Sequence, residues 1–286
     1  MTGVILIAFG KRGYGLMARN LALSLRHFAP DLHIVTYADE SLNVPNSIPL
    51  PKEYFTHPTS GKIDPARAKC QAYRLGIEAG LDRFLFIDVD TIAINDIRPL
   101  LAHLKGTPFA IEVTGQGGKA DRINYSIWAT NPVIWRHFSL ADNATLCGVQ
   151  SSWMYFEKGP TCDNLQAQLD YYIRQGQPIG GLSMSWGGTM PDELIYAGCL
   201  ARLGVIPTIA PPPKRPMLFG HKRATYTDKE ATDQFYLLSL YGNGTGRTLT
   251  APKWFRMHDR LLAQMGGEWF SAMDVMKDKH VNNGGT

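Results

Sequence analysis

Residues 84–91 have the sequence FLFIDVDT, in which four apolar residues lead directly to the carboxylates of Asp88 and Asp90. A short apolar run is typical of a buried strand, and ligands of parallel α/β sheets bind beyond the carboxyl ends of such strands. Two carboxylates two residues apart repel each other, and a hard divalent cation such as Mg²⁺ or Mn²⁺ removes that repulsion. The stretch therefore predicts a metal site at a sheet edge. The alternative is a solvated turn, where aspartates are also common.

The segment before this stretch alternates between strand and helix patterns. Apolar, β-prone residues predict strands at 4–9 and 32–37. Between them, the glycines of 10–15 predict a turn, and the apolar spacing of Met17–Phe28 predicts a helix. The order strand, helix, strand with short turns predicts an α/β fold with a mostly parallel, Rossmann-like sheet flanked by helices.

The remainder of the chain continues this pattern without a composition break that would divide it. The strands predicted there are 109–113, 126–129, 153–156 and 205–210, with a loop at 115–118, and the helices are 165–175, 191–203 and 259–265. We therefore predict a single domain over residues 1–276, ending in a C-terminal extension, and a flexible polar tail over 277–286.

Composition and charge limit the kind of protein. The 286 residues carry a formal net charge of +4, which is too small to indicate nucleic-acid binding by itself. The four cysteines form no CxxC pair, so reduced thiols are expected rather than a zinc site or a disulfide framework. The sequence shows no secretion signal and no apolar run of about 20 residues, which predicts a cytoplasmic protein without a transmembrane segment.

A helix predicted over Pro65–Ala79 extends the argument from the two aspartates. Because a short turn joins this helix to the strand before them, helix and strand run antiparallel, and the helix begins at the same sheet edge. Arg67 and Lys69, in its first turns, are therefore candidates to bind the phosphates of a donor. The same argument places Tyr14 at that edge, where its ring can stack on a nucleobase. The alternatives are a solvated helix face for the two cations and a packing role for Tyr14.

An ordered set of motifs over most of the chain resembles the GT-A fold glycosyltransferases, especially the glycogenin-like and the retaining galactosyltransferase-like families. The motifs are the first strand and turn with Tyr14, NLALSL at 20–25, RAK at 67–69, FLFIDVDT at 84–91, QSSWMYF at 150–156 and PDE at 191–193. The DxD core alone is moderately specific, whereas the ordered set is much more so. The strand at 150–156 departs from the usual N-S-G pattern, since Gln150 and Ser152 replace the Asn and the Gly.

The resemblance implies an enzyme that moves a sugar from a nucleotide-diphosphate donor, most often a UDP-sugar, with Mn²⁺ or Mg²⁺ as its cofactor. It implies that residues 1–113 bind the nucleotide sugar and that residues 114–276 bind the acceptor. It also implies three groups of site residues. The metal ligands are Asp88, Asp90 and His221, with His258 as an alternative to His221; the donor contacts are Phe9, Gly10, Tyr14, Arg67, Lys69, Asp88, Val89 and Lys222; the catalytic acids are Asp192 and Glu193.

The role of Asp192 and Glu193 depends on the stereochemistry, which the sequence leaves open. An inverting enzyme needs a base that deprotonates the acceptor hydroxyl, and these acids are the candidates. In retaining relatives they would instead bind the donor or the acceptor sugar. The alternative is a structural role, in which Asp192 caps the helix that begins beside it.

Other functions fit parts of the pattern. A phosphatase of the haloacid dehalogenase type also has DxD after a strand, but it needs a threonine two residues after the second aspartate, whereas Thr91 follows Asp90 directly. A non-catalytic module that binds a sugar nucleotide or a glycan would keep the fold, and the acids at 192 and 193 argue against it. The acceptor stays open between a glycan, a protein side chain and a modified base in DNA. The last is permitted by the basic residues after the proline run, which are Lys214, Arg215, Lys222, Arg223 and Lys229.

Overall fold

The computed structural model of the chain describes residues 1–121, 124–126, 128–175, 190–207, 212–219, 226–240, 252–272 and 274. Strands and helices alternate along these ranges. The strands are β1 (Thr2–Ala8), β2 (His33–Ala38), β3 (Ile48–Pro49), β4 (Arg83–Ile87), β5 (Thr91–Ala93), β6 (Phe109–Gly117), β7 (Leu146–Glu157), β8 (Arg215–Leu218) and β9 (Phe235–Ser239). The α-helices are α1 (Arg12–Phe28), α2 (Pro65–Lys69), α3 (Ala72–Glu78), α4 (Arg98–Leu104), α5 (Asn131–His137), α6 (Pro160–Gln175), α7 (Asp192–Leu203), α8 (Asp228–Gln234) and α9 (Pro252–Met265).

The described strands form two sheets. One has six strands in the order β3-β2-β1-β4-β7-β6, and the other has three in the order β5-β9-β8. Strands β1, β2 and β3 pair in parallel, whereas β6 and β7 pair antiparallel. This arrangement confirms the predicted α/β fold with a mostly parallel sheet flanked by helices. Across the described ranges, every helix is too short or too polar to cross a membrane.

The chain separates into two compact units whose segments interleave along the sequence. The β1–β2 unit comprises residues 2–50, 87–105 and 210–286, and the β6–β7 unit comprises Met1 and residues 51–86 and 106–209. The predicted division near residue 113 into a donor half and an acceptor half stays a prediction.

In the β1–β2 unit, strand β1 is buried from Gly3 to Ala8, and α1 buries a stripe with Met17, Leu21 and Leu25. An apolar cluster around the smaller sheet joins β5, β8 and β9 to helices α8 and α9. Its buried members are Ile92, Ile94, Leu218, Ala231, Phe235, Leu238, Met257, Leu261 and Leu262. The cluster fixes β5, which begins directly after Asp90.

In the β6–β7 unit, a row of aromatic rings forms the centre of the core. The ring of Phe156 on β7 lies 5.3 Å from Phe84 on β4 and 5.2 Å from Phe109 on β6. Phe109 in turn stacks on Tyr196 of α7, at 6.1 Å between centroids. These contacts hold α7 against the strands, which fixes the position of the acids at its start.

Helix α1 begins earlier than the sequence predicted, because Gly13 and Gly15 belong to the helix rather than to a turn. A Cβ at Gly15 would lie 3.1 Å from Cβ of Leu42 and 3.2 Å from its carbonyl oxygen. The glycine therefore permits a close approach between α1 and the segment after β2. This packing requirement produces the same sequence signal as a turn.

The helix predicted over 65–79 is wrong in one respect, because it is interrupted at Cys70 to give α2 and α3. In a continuous helix, the carbonyls of Lys69 and Cys70 would accept from backbone amides four residues later. In this fold the Lys69 carbonyl accepts from Tyr196 Oη at 3.2 Å, and the Cys70 carbonyl accepts from Gln166 Nε2 at 3.1 Å. Side chains of α7 and α6 thus provide partners at the interruption.

Strand β6 continues through residues 115–117, which were predicted as a loop. The glycines remain in the strand because Tyr125 lies against them: a Cβ at Gly148, opposite Gly115 on β7, would be 1.8 Å from the Tyr125 carbonyl oxygen.

Two predicted strands are also wrong where the structure describes them. The described residues of 126–129 form no continuous strand: Trp128 lies at a bend, where its backbone N–H donates to Ser126 Oγ at 3.1 Å, and Ala129 makes a single β-bridge. Residues 205–207 form no strand, because the N–H of Val205 donates to the Leu200 carbonyl and completes the end of α7. Residues 208–210 lie outside the described ranges.

Candidate functional site

Asp88 and Asp90 lie on the turn between β4 and β5, and both are half-buried. The turn is fixed at its exit, because the carbonyl oxygen of Asp90 accepts from the N–H of Leu240 at 2.6 Å. Strand β5 is fixed in turn by β9 and by Ser24 of α1, whose Oγ accepts from the N–H of Ala93 at 2.9 Å. Hydrogen bonds therefore fix the backbone that follows the two carboxylates.

The chemistry of this turn fits a hard cation. The carboxylate of Asp90 makes no hydrogen bond or ion pair within the described ranges. A half-buried carboxylate without a partner is costly, and a divalent cation with oxygen ligands would remove that cost. Among the described residues, no group of three or more His, Cys, Asp and Glu side chains is placed to hold a metal. The predicted third ligand, His221, and the predicted phosphate contact, Lys222, lie outside the described ranges.

His258, the alternative third ligand, is completely buried in α9. Its Nδ1 lies 2.8 Å from Oδ1 of Asp259, and the same oxygen accepts from the N–H of Ala272 at 2.8 Å. These contacts tie α9 to the segment after it, and the role of His258 as an alternative metal ligand stays a prediction.

The predicted donor contacts Phe9, Gly10 and Tyr14 follow the carboxyl end of β1. Gly10 has a φ of +82°, a conformation that side chains other than glycine rarely adopt, so it permits the sharp exit from the strand. The rings of Phe9 and Tyr14 stack at 6.5 Å between centroids with an interplanar angle of 20°, and both residues are half-buried. Their aromatic faces are chemically suited to a nucleobase.

Lys69 and Asp192, both predicted from the sequence, form an ion pair in the β6–β7 unit. Lys69 Nζ lies 3.2 Å from Asp192 Oδ2, and the side chains are only 21% and 12% exposed. Ser151 of β7 completes the group: its Oγ accepts from Lys69 Nζ at 3.3 Å and donates to Asp192 Oδ2. The capping alternative for Asp192 is wrong, because Pro191 occupies the cap position of α7 and no side chain caps the helix.

The neighbouring acid, Glu193, has a different partner. Its Oε2 accepts from the indole Nε1–H of Trp128 at 2.5 Å. The two acids at the start of α7 are therefore held by donors from different parts of the unit, a strand for Asp192 and a loop for Glu193.

Arg67 uses its guanidinium to contact the backbone of its own unit. Nε donates to the Glu53 carbonyl at 2.6 Å, and Nη1 donates to the Ile173 carbonyl at 3.5 Å. Its backbone N–H donates to Asp64, the cap of α2, at 3.3 Å. Arg67 thus ties three segments together, and its predicted contact with phosphate stays a prediction.

The ion pair lies in a region from which water is largely excluded. Burial raises the pKa of the Cys70 thiol well above its ordinary value, and the nearby Asp192 carboxylate raises it further. Burial also raises the pKa of the Tyr196 hydroxyl, with smaller contributions from Cys70 and Asp192. A charge in such a region interacts strongly with its neighbours.

Sequence reasoning did not single out Ser151 or Trp128 as functional residues. A signal for Ser151 exists, because it occupies a fully buried position within the apolar pattern of β7, where a polar side chain needs a partner. The sequence around Trp128 carries no comparable signal, since its partner follows 65 residues later.

Comparison with known proteins shows the fold. No protein family model matches the chain, and no curated protein matches it in sequence. Among solved structures, an active-site mutant of LgtC superposes with a TM-score of 0.52 at 14% identity, covering 95% of this chain and 99% of LgtC. The bifunctional glycosyltransferase WbbM superposes with a TM-score of 0.52 at 14% identity, covering 96% of this chain and 51% of WbbM. The galactosyltransferase LgtC with donor and acceptor sugar analogues gives a TM-score of 0.49 at 13% identity, covering 92% of this chain and 97% of LgtC. The chain has the GT-A fold of glycosyltransferases.

Proposed function

We propose that the chain is a metal-dependent glycosyltransferase that moves a sugar from a nucleotide-diphosphate donor, a UDP-sugar, to a hydroxyl acceptor. One observation carries the proposal: in a chain with the GT-A fold, Asp88 and Asp90 lie on the rigid turn that directly follows the buried strand β4. The partnerless carboxylate of Asp90 within the described ranges adds support, because it fits a cation.

Asp88 and Asp90, with His221 as the third ligand, would hold Mn²⁺ or Mg²⁺. When bound, the cation neutralises the charge that grows on the diphosphate as it leaves the sugar. Val89, whose side chain is buried, separates the two carboxylates and fixes their spacing. Lys222 would add positive charge for the phosphates.

The donor would be bound by residues of both predicted classes, aromatic and basic. Tyr14 and Phe9 offer stacked rings for the nucleobase, and the positive φ of Gly10 permits the sharp exit from β1 between them. Lys69 and Arg67 are the basic residues of the β6–β7 unit that we propose for the phosphates. Both have partners within the unit: the Arg67 guanidinium contacts two backbone carbonyls, and Lys69 Nζ contacts Asp192 and Ser151.

In the transfer, the bond between the anomeric carbon and the diphosphate oxygen breaks, and the nucleoside diphosphate leaves with the electron pair. The acceptor oxygen forms the new bond to the anomeric carbon and loses its proton. In an inverting reaction, Asp192 or Glu193 would accept that proton. In a retaining reaction, these acids would hold sugar hydroxyls and the departing phosphate oxygen would take the proton.

The decisive experiment incubates the purified chain with UDP-sugars and Mn²⁺ and measures the release of UDP, with and without glycan, peptide and modified-DNA acceptors. We expect donor turnover that excess chelator stops and that added Mn²⁺ restores. Full turnover in excess chelator would contradict the metal assignment. Binding of a UDP-sugar without any turnover would instead indicate a non-catalytic sugar-nucleotide module.

A further inference from the structure

We propose that Trp128 is a positioning residue that holds the carboxylate of Glu193 in one orientation, and that glycines of β6 and β7 set the position of the loop that carries Trp128. The inference rests on the proposed function, because Glu193 is one of its two acids. It adds a hydrogen bond from the loop of Trp128, which packs on glycines of β6 and β7, that orients this acid for the reaction.

The contact between Trp128 and Glu193 is suited to fixing a carboxylate. The indole N–H can only donate, so it defines which carboxylate oxygen faces it. Nε1 lies 2.5 Å from Oε2 in a partly buried contact, and Trp128 is almost fully buried, at 7% exposed. A hydrogen bond to a carboxylate is stronger where the contact is partly shielded from water. The indole therefore restricts rotation of the Glu193 carboxylate.

Trp128 belongs to the 121–130 loop, of which the structure describes 121, 124–126 and 128–130, and Tyr125 of this loop lies against the β6–β7 pair where that pair has no side chains. A Cβ at Gly148 would lie 1.8 Å from the Tyr125 carbonyl oxygen, and one at Gly117 would lie 2.0 Å from Tyr125 Oη. A Cβ at Gly115, opposite Gly148, would still be 3.4 Å from the Tyr125 ring. The three glycines thus leave the space that Tyr125 occupies. Any larger residue at 117 or 148 would clash with Tyr125 and displace it.

The loop is tied at both of its ends. At the start, Asp121 Oδ2 accepts from Tyr125 Oη at 2.6 Å and from the N–H of Gly118 at 2.8 Å. At the end, the buried Asn131 accepts from the N–H of Tyr125 through Oδ1 at 3.3 Å, and its own N–H donates to Asn124 Oδ1 at 3.2 Å. These bonds hold Asn124 and Tyr125 in place, and the N–H of Trp128 donates to the nearby Ser126 Oγ at 3.1 Å.

This arrangement matters for catalysis because a reacting acid must be held within about 0.5 Å of its productive geometry. Asp192 is bonded to Ser151 and Lys69, and Glu193 accepts a hydrogen bond from Trp128 of the loop. Removing the indole N–H removes this one restraint on the carboxylate, while its charge and its helix stay in place.

The first test compares Trp128→Phe with Trp135→Phe in the full chain, using Mn²⁺ and the UDP-sugar that the wild type turns over. Trp128→Phe removes the N–H and keeps an aromatic ring. Trp135→Phe is the matched control, because it also removes a buried indole N–H, which donates to the Ala141 carbonyl at 3.0 Å. We expect Trp128→Phe to lower kcat about tenfold to hundredfold with the donor KM within about twofold, and Trp135→Phe to leave both unchanged.

A second pair of variants moves the loop without touching either partner. Gly148→Ala places a methyl group into the Tyr125 backbone and should lower kcat as Trp128→Phe does. Gly159→Ala is its control, since a Cβ there meets nothing within 4 Å. The indole N–H cross-peaks of the six tryptophans give a readout without turnover. The peak lost in Trp128→Phe should move in Glu193→Ala and in Gly148→Ala, and it should stay in place in Gly159→Ala.

The outcomes separate this inference from the proposed function. An active wild type together with a Trp128→Phe variant as active as Trp135→Phe would overturn the role of Trp128 alone. A Trp128 cross-peak whose position does not change in Glu193→Ala would also overturn the role of Trp128 alone. A wild type that turns over no sugar nucleotide would overturn the proposed function and, with it, the catalytic purpose of the contact.

Discussion

The ammonium nitrogen of Lys69 lies 3.2 Å from Oδ2 of Asp192, and the two side chains are 21% and 12% exposed. Ser151, which is fully buried, bonds to both. A charge in such a place is stable only with its partner, because the loss of hydration must be offset by the opposite charge and by hydrogen bonds. The charges of Lys69 and Asp192 therefore stabilise each other, with or without a bound ligand.

We expect Lys69→Met to destabilise the protein by about 2–4 kcal/mol, since it leaves the Asp192 carboxylate buried with only a hydroxyl donor. Urea unfolding measures the change. The matched control is Lys119→Met, which removes an exposed pair with Asp142 at 2.6 Å and should cost less than about 1 kcal/mol. Equal costs for the two variants would show that burial does not strengthen the Lys69 pair.

The fold and the position of Asp88 and Asp90 after a buried strand could be predicted because their signals are local. The apolar run of β4 and the carboxylates behind it are adjacent in sequence, and the alternation of strands and helices repeats over short windows. The break of the helix at Cys70 could not be predicted in the same way. It depends on hydrogen bonds from Gln166 and Tyr196, which the chain brings there only after folding.

The same distinction divides the candidate site. Lys69, Asp192 and Glu193 were singled out because charged residues in the first turns of a predicted helix stand out in a sequence. Trp128 was not found, because a tryptophan in a loop has the same sequence signature whether it packs or donates. Its role follows from a contact made across 65 residues of chain.

We expect Asp90→Ala to lower metal-dependent turnover by about a thousandfold while the fold stays intact, because a metal ligand is lost and no described protein contact of the carboxylate goes with it. The backbone contact with Leu240 is kept, since it uses the Asp90 carbonyl oxygen. Turnover of a UDP-sugar and circular dichroism measure the two effects.

The control for this variant is Asp233→Ala, which removes an exposed aspartate of the β1–β2 unit. Thermal shifts with Mn²⁺ and UDP add a binding readout, since a ligand at 100 times its Kd stabilises the native state by about 2.7 kcal/mol. The wild type and Asp233→Ala should show the shift, and Asp90→Ala should lose it. A wild-type rate in Asp90→Ala would refute the metal assignment.

Gly76 of α3 packs directly against the ring of Phe84, and a Cβ there would lie 2.1 Å from Phe84 Cζ. The ring is fully buried, so it has no space to yield. We expect Gly76→Ala to destabilise by about 1–2 kcal/mol, because the strain exceeds the gain of about 1 kcal/mol in helix propensity. Chemical denaturation measures the change against Gly159→Ala, which meets no atom within 4 Å. A stabilised Gly76→Ala would mean that β4 can shift away from α3.

The thiols of Cys70, Cys147, Cys162 and Cys199 are all free and buried. Burial raises the pKa of each of the four, and for Cys162 it raises the pKa to about 12. Because the thiolate is the reactive form, a raised pKa keeps these groups protonated at pH 8, where an exposed cysteine is partly ionised. We expect a thiol reagent at pH 8 to label none of them in the native protein and all four in guanidinium chloride, as counted by intact mass. Rapid labelling of one thiol without denaturant would show that the segment around it opens locally.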